Sequence, residues 1–314
     1  MKIDDQRKSK RPAEPKITWI KPALAREFAL RGTDAYRIAD GEKFRIERFG
    51  DCAVISHSAE NPPAAVLDEI QRWRAHAGVL IRNHYARRLI INPGKENLPR
   101  PLGIVSAGHR AVAHEDGLAY EVDFLSGYSN GLFLDQRGNR GWLRASKVGS
   151  VLNLFAYTCS FGVAAAVGGS RTVNVDLSKS ALERGRRNFE LNRLSLEGHR
   201  FLTDDAFDVL PRLARRGQRF DAIILDPPTF SRGRHGRLFR AERDFGRLIE
   251  LAINCAAAGA VILLSTNSSK VTVSRLRELG SRHSPAPVTF FRSPPLPDIP
   301  AGHGAATVWM RIGP

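Results

Sequence analysis

Cysteine is scarce in this sequence. Among 314 residues there are three, Cys52, Cys159 and Cys255, and no two of them form a Cys-x-x-Cys pair. Disulfide-stabilised secreted domains and cysteine-built zinc sites need more cysteines at closer spacing, so both classes are excluded and no metal is expected. The cysteine content fits a reducing compartment.

Long apolar runs are also absent. No run approaches the roughly 18 residues that a membrane-spanning helix needs. The N-terminal segment MKIDDQRKSKRPAEPK is charged and lacks the apolar core of a secretory signal. We therefore expect a cytoplasmic protein without membrane contact. No pattern in the sequence indicates its oligomeric state.

Acidic residues are few relative to basic ones. Lysine and arginine number 48 against 32 aspartate and glutamate, which gives a net charge of +16 and a pI near 10.4. Codon bias can replace lysine by arginine, but it does not explain a net excess of positive charge. A field of this sign attracts polyanions, so nucleic acid is the expected partner.

The chain divides into three predicted segments. Residues 1–31 hold nine basic and four acidic residues and prolines at 12, 15 and 22, which predicts a mobile basic arm with a short element around Ile17–Ile20. Residues 32–123 predict a small α/β unit containing one helix over residues 64–77. Its predicted strands are Phe44–Phe49, Cys52–Ser56, Val79–Arg82, Leu89–Asn92 and Ala119–Phe124.

The hydrophobic pattern of the sequence is different in residues 124–314. Short, nearly continuous apolar runs alternate with helical stretches, as in parallel strands that are buried on both faces. This pattern predicts a doubly wound, mostly parallel α/β sheet of Rossmann-like type. The runs include Val151–Phe155, Thr172–Val175, Phe220–Leu225 and Val261–Ser265. Val288–Arg292 and Thr307–Ile312 predict an antiparallel hairpin at the sheet edge.

Polar residues follow four consecutive predicted strands: the loop 153–162, Asp176, Asp204-Asp205 and Asp226. Ligands of such sheets bind beyond the carboxyl ends of the strands. Each acid alone is more often a helix cap or turn residue, but the set favours a nucleoside cofactor. An acid 23 residues after Asn153, such as Asp176, suits two ribose hydroxyls.

Other residues narrow the choice of cofactor. Asp205 can accept a hydrogen bond from an adenine amino group, and Phe207 can pack on the ring. The loop 153–162 does not match the Gly-x-Gly-x-x-Gly phosphate motif. A nucleoside without phosphates fits better, and S-adenosylmethionine is the expected cofactor.

The motif Asp-Pro-Pro-Thr-Phe at 226–230 is the sharpest signal. Proline has no N–H, so the Asp226 side chain and the Pro227 carbonyl can both accept hydrogen bonds from a planar base. Phe230 can stack on that base, and Asn267 can help to orient it. A strand-terminating turn is the alternative interpretation of Asp-Pro-Pro.

An arginine-rich segment follows this motif. Four arginines are predicted to bind RNA phosphates around a flipped nucleotide: Arg232, Arg234, Arg237 and Arg240. The glycines at 233 and 236 suggest a loop that becomes ordered when substrate binds.

Residues from about 119 to 312 resemble the S-adenosylmethionine-dependent large-subunit rRNA methyltransferases of bacteria. The likeness rests on GLFLDQRGNR at 131–140, NLFAYT at 153–158, Asp176, Asp205 and DPPTFS at 226–231. It implies a class I methyltransferase fold and methylation of 23S rRNA at cytosine C5 or guanine N7. The N-terminal RNA-binding domain of some members is not recognised here.

The resemblance also implies site residues. It places Asp135 and Arg137 of the LDQR stretch beside the cofactor. The other cofactor contacts predicted from the motifs are Asn153, Phe155, Ala156, Tyr157, Thr158, Asp176, Leu177, Asp205, Ala206 and Asp226.

Two departures from the family pattern bear on chemistry. Cys159 stands where the family usually has glycine, and Thr266-Asn267 stand where the cytosine-C5 branch has a catalytic cysteine. Cytosine C5 becomes reactive only after a thiolate adds to C6, whereas guanine N7 already carries an in-plane lone pair.

The sequence therefore predicts direct methyl transfer to guanine N7 without a covalent cysteine intermediate. The alternatives are another acceptor, such as cytosine C5, a different nucleic acid or a small molecule, and a catalytically inactive RNA-binding relative. Cys159 is the only feature that supports the inactive relative.

Overall fold

The computed structural model describes residues 17–41, 44–58, 62, 65–88, 100–102, 108–126 and 129–313, except for the side chain at 235. Residues 1–16 of the predicted arm and the predicted strand Leu89–Asn92 lie outside these ranges. Among the helices that are described, none has the length and apolar content needed to cross a bilayer.

The N-terminal unit is a six-stranded sheet with two helices, α1 (Pro22–Leu30) and α2 (Val66–Ala77). The strands are β1 (Ile17–Trp19), β2 (Ala35–Gly41), β3 (Phe44–Phe49), β4 (Cys52–His57), β5 (Asn83–Arg88) and β6 (Arg100–Pro101). They lie in chain order, and only β4 and β5 pair in parallel, with α2 as their crossover. The predicted α/β unit is confirmed.

Strand β1 confirms the short element predicted around Ile17–Ile20, whereas the predicted mobile arm is wrong for α1, residues 22–30. Strand β1 pairs with β2, and α1 buries Ala25 and Phe28 in the core of the unit. The indole of Trp73 donates a hydrogen bond to the Ile20 carbonyl at 3.0 Å. The basic residues of this segment concealed a short amphipathic helix.

The strand predicted at Val79–Arg82 is also wrong, because pairing starts at Asn83. Gly78 ends α2 with φ at 69°, in the left-handed region where glycine costs least. Ile81 then packs into the core as part of a connector. Its apolar side chain reflects burial and not sheet pairing.

A two-stranded hairpin, β7 (Arg110–Glu115) and β8 (Leu118–Asp123), joins the two halves. Tyr85 of the first sheet stacks on Phe124 with ring centroids 4.6 Å apart. Both belong to a buried cluster that also contains Leu182 and Phe189. The predicted boundary at 123/124 therefore crosses a continuous core.

The C-terminal half is built on a seven-stranded sheet. Its strands are β9 (Ser150–Leu154), β10 (Arg171–Asp176), β11 (Arg200–Thr203), β12 (Phe220–Leu225), β15 (Ala256–Thr266), β16 (Val288–Phe291) and β17 (Ala306–Ile312). Its helices are α3 (Arg137–Ser146), α4 (Ser160–Val167), α5 (Lys179–Leu191), α6 (Ala206–Arg215), α7 (Ala241–Ile253) and α8 (Val273–His283). A small hairpin, β13 (Phe230–Arg232) and β14 (Leu238–Arg240), follows β12.

The strand order is β11-β10-β9-β12-β15-β17-β16. The first five are parallel, and β17 and β16 close the edge as an antiparallel pair. In β12, Ala222 and Ile224 enter one core, and Ile223 and Leu225 enter the other. The predicted doubly wound sheet with a C-terminal hairpin is confirmed.

Buried ion pairs fasten the N-terminal sheet to the C-terminal connection. Arg137 pairs with Asp298, whose other oxygen accepts from the Arg37 backbone N–H at 3.0 Å. The Asp298 and Arg137 side chains are 0% and 3% exposed. Arg37 in turn pairs with Asp40 at 2.7 Å, and Asp40 contacts His303 at 2.8 Å.

We expect Asp298→Ala to lower the free energy of unfolding by about 3–5 kcal/mol, because it leaves the Arg137 guanidinium buried without its partner. Urea unfolding measures this change. Glu278→Ala removes an exposed partner of Arg275 and Arg282 and should leave the midpoint nearly unchanged. Equal effects of the two variants would contradict this account.

Candidate active site

A deep cleft of about 1010 Å³ opens at the carboxyl edge of the parallel sheet. Its size suits a ligand larger than a single nucleobase. Four carboxylates line it: Asp176, Asp204, Asp205 and Asp226. Its aromatic lining is Phe133, Phe155, Tyr157, Phe161, Phe207, Phe230 and Phe239.

Strand register sets this arrangement. Leu154, Val175, Leu225 and Leu264 form one row across β9, β10, β12 and β15. The next residue of each strand is Phe155, Asp176, Asp226 or Ser265. These four side chains therefore emerge at one level of the sheet edge.

The loop after β9 is strained. Phe155, Tyr157 and Cys159 have φ values of 55°, 47° and 58°, in the left-handed region, and such positions cost about 1–3 kcal/mol each. Thr158 Oγ1 donates to the Gly131 carbonyl at 2.5 Å, and Cys159 N–H donates to the Ala156 carbonyl at 2.7 Å. Cys159 adopts the conformation that favours glycine, which accounts for the family's usual residue there.

Asp176 supports this loop from the neighbouring strand. Its Oδ2 accepts from the Tyr157 backbone N–H, and its Oδ1 from the Ser178 N–H, both at 2.8 Å. Burial raises the pKa of Asp176, and these backbone hydrogen bonds counteract part of that rise. Each carboxylate oxygen keeps a second lone pair for a ligand in the cleft.

Asp205 caps α6 and anchors the hairpin β13–β14. Its Oδ1 accepts from the Phe207 N–H at 2.9 Å, and its Oδ2 from the Arg234 N–H at 3.1 Å. The Arg234 guanidinium lies 3.1 Å from Asp204, and the Arg237 guanidinium lies 3.4 Å from Asp208. The segment expected to order on substrate binding thus already forms a hairpin held at the cleft rim.

The four predicted RNA-binding arginines fall into two pairs. Arg234 and Arg237 are bound by the carboxylates just described. Arg232 and Arg240 are exposed, and neither side chain has an ion-pair partner among the described residues.

Asp226 directly follows β12, which β9 and β10 separate from β11, the strand that precedes Asp205. The Oδ1 of Asp226 accepts from Ser265 Oγ at 2.5 Å. Burial raises the pKa of Asp226 to about 6, although the Ser265 hydrogen bond lowers it. Pro227, Phe230 and Asn267 line the same cleft, and the Phe230 side chain is 54% exposed.

Several predicted cofactor residues line the cleft directly: Phe155, Ala156, Tyr157, Asp176, Leu177, Asp205, Ala206 and Asp226. Two lie one layer behind it. Asn153 is buried and donates to Asn174 Oδ1 at 2.9 Å, and Thr158 is buried beneath the loop. Asn153 and Thr158 support the lining residues and do not contribute to the surface of the cleft.

Asp135 and Arg137, which the resemblance places beside the cofactor, are not among the residues that line the cleft. Asp135 accepts from the Ala305 N–H at 2.8 Å, and Arg137 reaches Asp298 and stacks over the Phe28 ring at 4.7 Å. The residues that line the cleft from this stretch are Phe133, Gln136 and Arg140. Spacings of three and four place those three on one helical face, which excludes the flanking positions.

Gln136 and Arg140 are two polar lining residues that sequence reasoning missed. Arg140 Nε and Nη2 donate to the two oxygens of Glu115 at 2.7 and 2.6 Å. The three- and four-residue spacing within GLFLDQRGNR was the signal that could have found them.

All three cysteines are buried, and none lines the cleft. Burial raises the pKa of Cys159 well above its usual range, raises that of Cys255, and raises that of Cys52 to about 12. A thiolate nucleophile is therefore not poised at this site. Within the described ranges, no group of three or more His, Cys, Asp or Glu residues could hold a metal ion.

Comparison with known proteins identifies relatives. Ribosomal RNA large subunit methyltransferase I of Shigella boydii serotype 18 is 34% identical over 255 residues, which are 77% of this chain and 63% of the relative. The protein of that name from Aeromonas salmonicida is 31% identical over 74% of this chain and 61% of the relative. The chain thus spans about 63% of the length of the curated relatives it matches.

Solved structures share the fold. SMU.776, a methyltransferase solved in complex with SAH, is 26% identical with a TM-score of 0.78, covering 92% of this chain and 78% of that one. A methyltransferase from Agrobacterium tumefaciens, 22% identical, has a TM-score of 0.71 and shares 90% of each chain. The class I methyltransferase fold that the resemblance implied is confirmed.

A family profile described as S-adenosylmethionine-dependent methyltransferase matches residues 109–311, which include both the seven-stranded sheet and the cleft. The chain therefore belongs to the S-adenosylmethionine-dependent methyltransferase family.

Proposed function

We propose that this protein transfers a methyl group from S-adenosylmethionine to large-subunit ribosomal RNA, with guanine N7 as the target. The observation that carries the proposal is the Asp226 end of the cleft, where a half-buried carboxylate and an exposed phenyl ring line the same cavity and none of the three cysteines does. The relatives are named ribosomal RNA large subunit methyltransferase I, which supports an rRNA acceptor.

The residues of the cleft fit the cofactor. Asp176 would accept hydrogen bonds from the ribose hydroxyls with its free lone pairs, and Asp205 would accept one from the adenine amino group. Phe207 would pack against the adenine ring. The apolar lining residues Ala156, Leu177 and Ala206 would enclose the nucleoside, and the loop 153–158 would fix its position.

The acceptor base would lie at the Asp226 end. Ionised Asp226 and the Pro227 carbonyl would accept hydrogen bonds from the imino and amino groups of guanine. Phe230, which is 54% exposed, would stack on the extruded base. Asn267 would orient the base through its amide.

Direct transfer suits this set of residues. When bound, the cofactor supplies an activated methyl group on a sulfonium, which becomes a thioether as the methyl leaves. The N7 lone pair forms the new bond and no proton has to be removed. The protein contributes alignment and exclusion of water. Methylation of cytosine C5 would need a thiolate that the cleft does not offer.

The basic surface suits an RNA substrate. Exposed Arg232 and Arg240 would contact phosphates beside the flipped nucleotide, whereas Arg234 and Arg237 would have to release carboxylates first. The net charge of +16 adds attraction for the polyanion.

Asp176→Asn should weaken S-adenosylmethionine binding by about 10- to 100-fold, because one acceptor oxygen becomes a donor. Isothermal titration calorimetry measures the change. Asp68→Asn, an exposed position on α2, serves as the matched control and should bind as the wild type does. Equal affinities for the two variants would remove Asp176 from the cofactor site.

Purified protein should form 7-methylguanosine in large-subunit rRNA that lacks modification, detected by nucleoside mass spectrometry. Cys159→Gly, Cys255→Ala and Cys52→Ala should each retain transfer within a few-fold, since no cysteine acts as a nucleophile. Gly suits position 159, where φ is 58°. Formation of 5-methylcytidine that one of these variants abolishes would overturn the N7 assignment.

Methyl transfer to RNA should slow as the solution becomes acidic, because protonation turns the free oxygen of Asp226 from an acceptor into a donor toward the base. The pKa of about 6 is raised by burial, and the cofactor's positive charge lowers it, so the midpoint lies at or below pH 6. Single-turnover rates between pH 5 and 8 test this. Asp226→Asn should be slow and lack the midpoint, and Asp68→Asn should keep it. A rate that instead falls as pH rises would assign the neutral acid as the active form.

A further inference from the structure

A line of buried polar side chains runs to Asp226 from Trp309, which lies in the core that also contains Ala222 and Ile224. Trp309 Nε1 donates to Asn139 Oδ1 at 3.0 Å, and Asn139 Nδ2 donates to Gln136 Oε1 at 2.8 Å. Gln136 Nε2 donates to Ser265 Oγ at 2.8 Å, and Ser265 Oγ donates to Asp226 Oδ1 at 2.5 Å. The four residues behind Asp226 are at most 3% exposed.

The direction of every hydrogen bond in this line is fixed by its first member. An indole N–H can only donate, so the Asn139 oxygen must face Trp309 and its amide N–H₂ must face Gln136. Gln136 therefore turns its oxygen to Asn139 and its N–H₂ to Ser265. Ser265 has one proton, which is then left for Asp226.

We infer that Trp309, Asn139, Gln136 and Ser265 form a directed relay that positions Asp226 and holds it as an acceptor for the substrate base. This inference rests on the role of Asp226 in the proposed function. None of the four is assigned to the reaction itself, and they act as positioning residues.

The geometry gives the relay two effects. Oδ1 of Asp226 is held by a short, charge-assisted hydrogen bond, which leaves Oδ2 for a ligand in the cleft. Because Ser265 must donate, it stabilises the ionised carboxylate and opposes the effect of burial. The other charged groups that act on Asp226 are Asp135, which raises its pKa, and Arg140, which lowers it.

An isosteric change two side chains away tests the relay. In Asn139→Asp, both oxygens accept, so Gln136 turns its amide N–H₂ toward position 139 and its oxygen toward Ser265. Ser265 then donates to Gln136, and Asp226 loses its donor. Ser265→Ala removes the same donor directly and keeps the test valid if the buried new carboxylate of Asn139→Asp prevents folding.

Ser293→Ala is the matched control. Ser293 Oγ donates to Asn139 Oδ1 at 2.8 Å, alongside Trp309. Its loss leaves the indole N–H in place, so the direction of the relay is unchanged.

The experiment is a carbon-13 NMR titration of protein labelled at aspartate carboxyls, without cofactor or RNA, with the Asp226 signal assigned from Asp226→Asn. The wild type should titrate near pH 6. Ser265→Ala and Asn139→Asp should move this midpoint upward by about one pH unit or more, the expected loss of a hydrogen bond to a charged group. Ser293→Ala should coincide with the wild type.

Midpoints that stay unchanged in Ser265→Ala and Asn139→Asp overturn the relay. The single-turnover profile of methyl transfer distinguishes this failure from a failure of the proposed function. If the NMR midpoint and the pH at which the transfer rate falls move upward by the same amount, the relay and the proposed function are both supported. If the NMR midpoint instead moves while the transfer rate of every variant shows no fall at acidic pH, the relay's effect on the pKa of Asp226 is retained. That result would contradict the proposal that Asp226 accepts hydrogen bonds from the base.

Discussion

Parallel pairing of buried strands is the constraint on which the site depends. Because Leu154, Val175, Leu225 and Leu264 share one row, the following residues emerge together: Phe155, Asp176, Asp226 and Ser265. A shift of one strand by a single residue would turn its side chain to the other face. Burial of the strands in two cores makes such a shift costly. The cores thus hold the carboxylates at their mutual positions.

Strain and buried charge accompany this arrangement. Phe155, Tyr157 and Cys159 persist in left-handed conformations because Asp176 and Gly131 bind the loop from two sides. The half-buried carboxylate of Asp226 is stabilised by the Ser265 hydroxyl, which donates to it. The N-terminal sheet contributes through the shared core and the Arg137–Asp298 pair, which fixes the start of α3. Gln136, one residue earlier, therefore meets Ser265 in a fixed geometry.

The elements that could be predicted from the sequence are those whose own residues show a continuous apolar run or a polar residue directly after one. The runs at 151–155 and 220–225 are apolar along their whole length, and Asp176 and Asp226 follow such runs. Helix α1 was missed because the nine basic residues and three prolines of residues 1–31 indicated an arm, while the helix buries only Ala25 and Phe28. A motif names neighbours in sequence, whereas the helical turn decides that Gln136 and Arg140 line the cleft and that Asp135 and Arg137 do not. The relay joins residues 136, 139, 265 and 309, and no local pattern reports such distant contacts.

We propose that Asp226 presents a guanine to the cofactor for direct methylation at N7. Nucleoside mass spectrometry of total rRNA from cells with and without this gene tests it most directly. We predict that one 7-methylguanosine disappears on deletion, returns with the wild-type gene and does not return with Asp226→Ala. Loss of 5-methylcytidine instead, or an unchanged nucleoside profile, would contradict the claim.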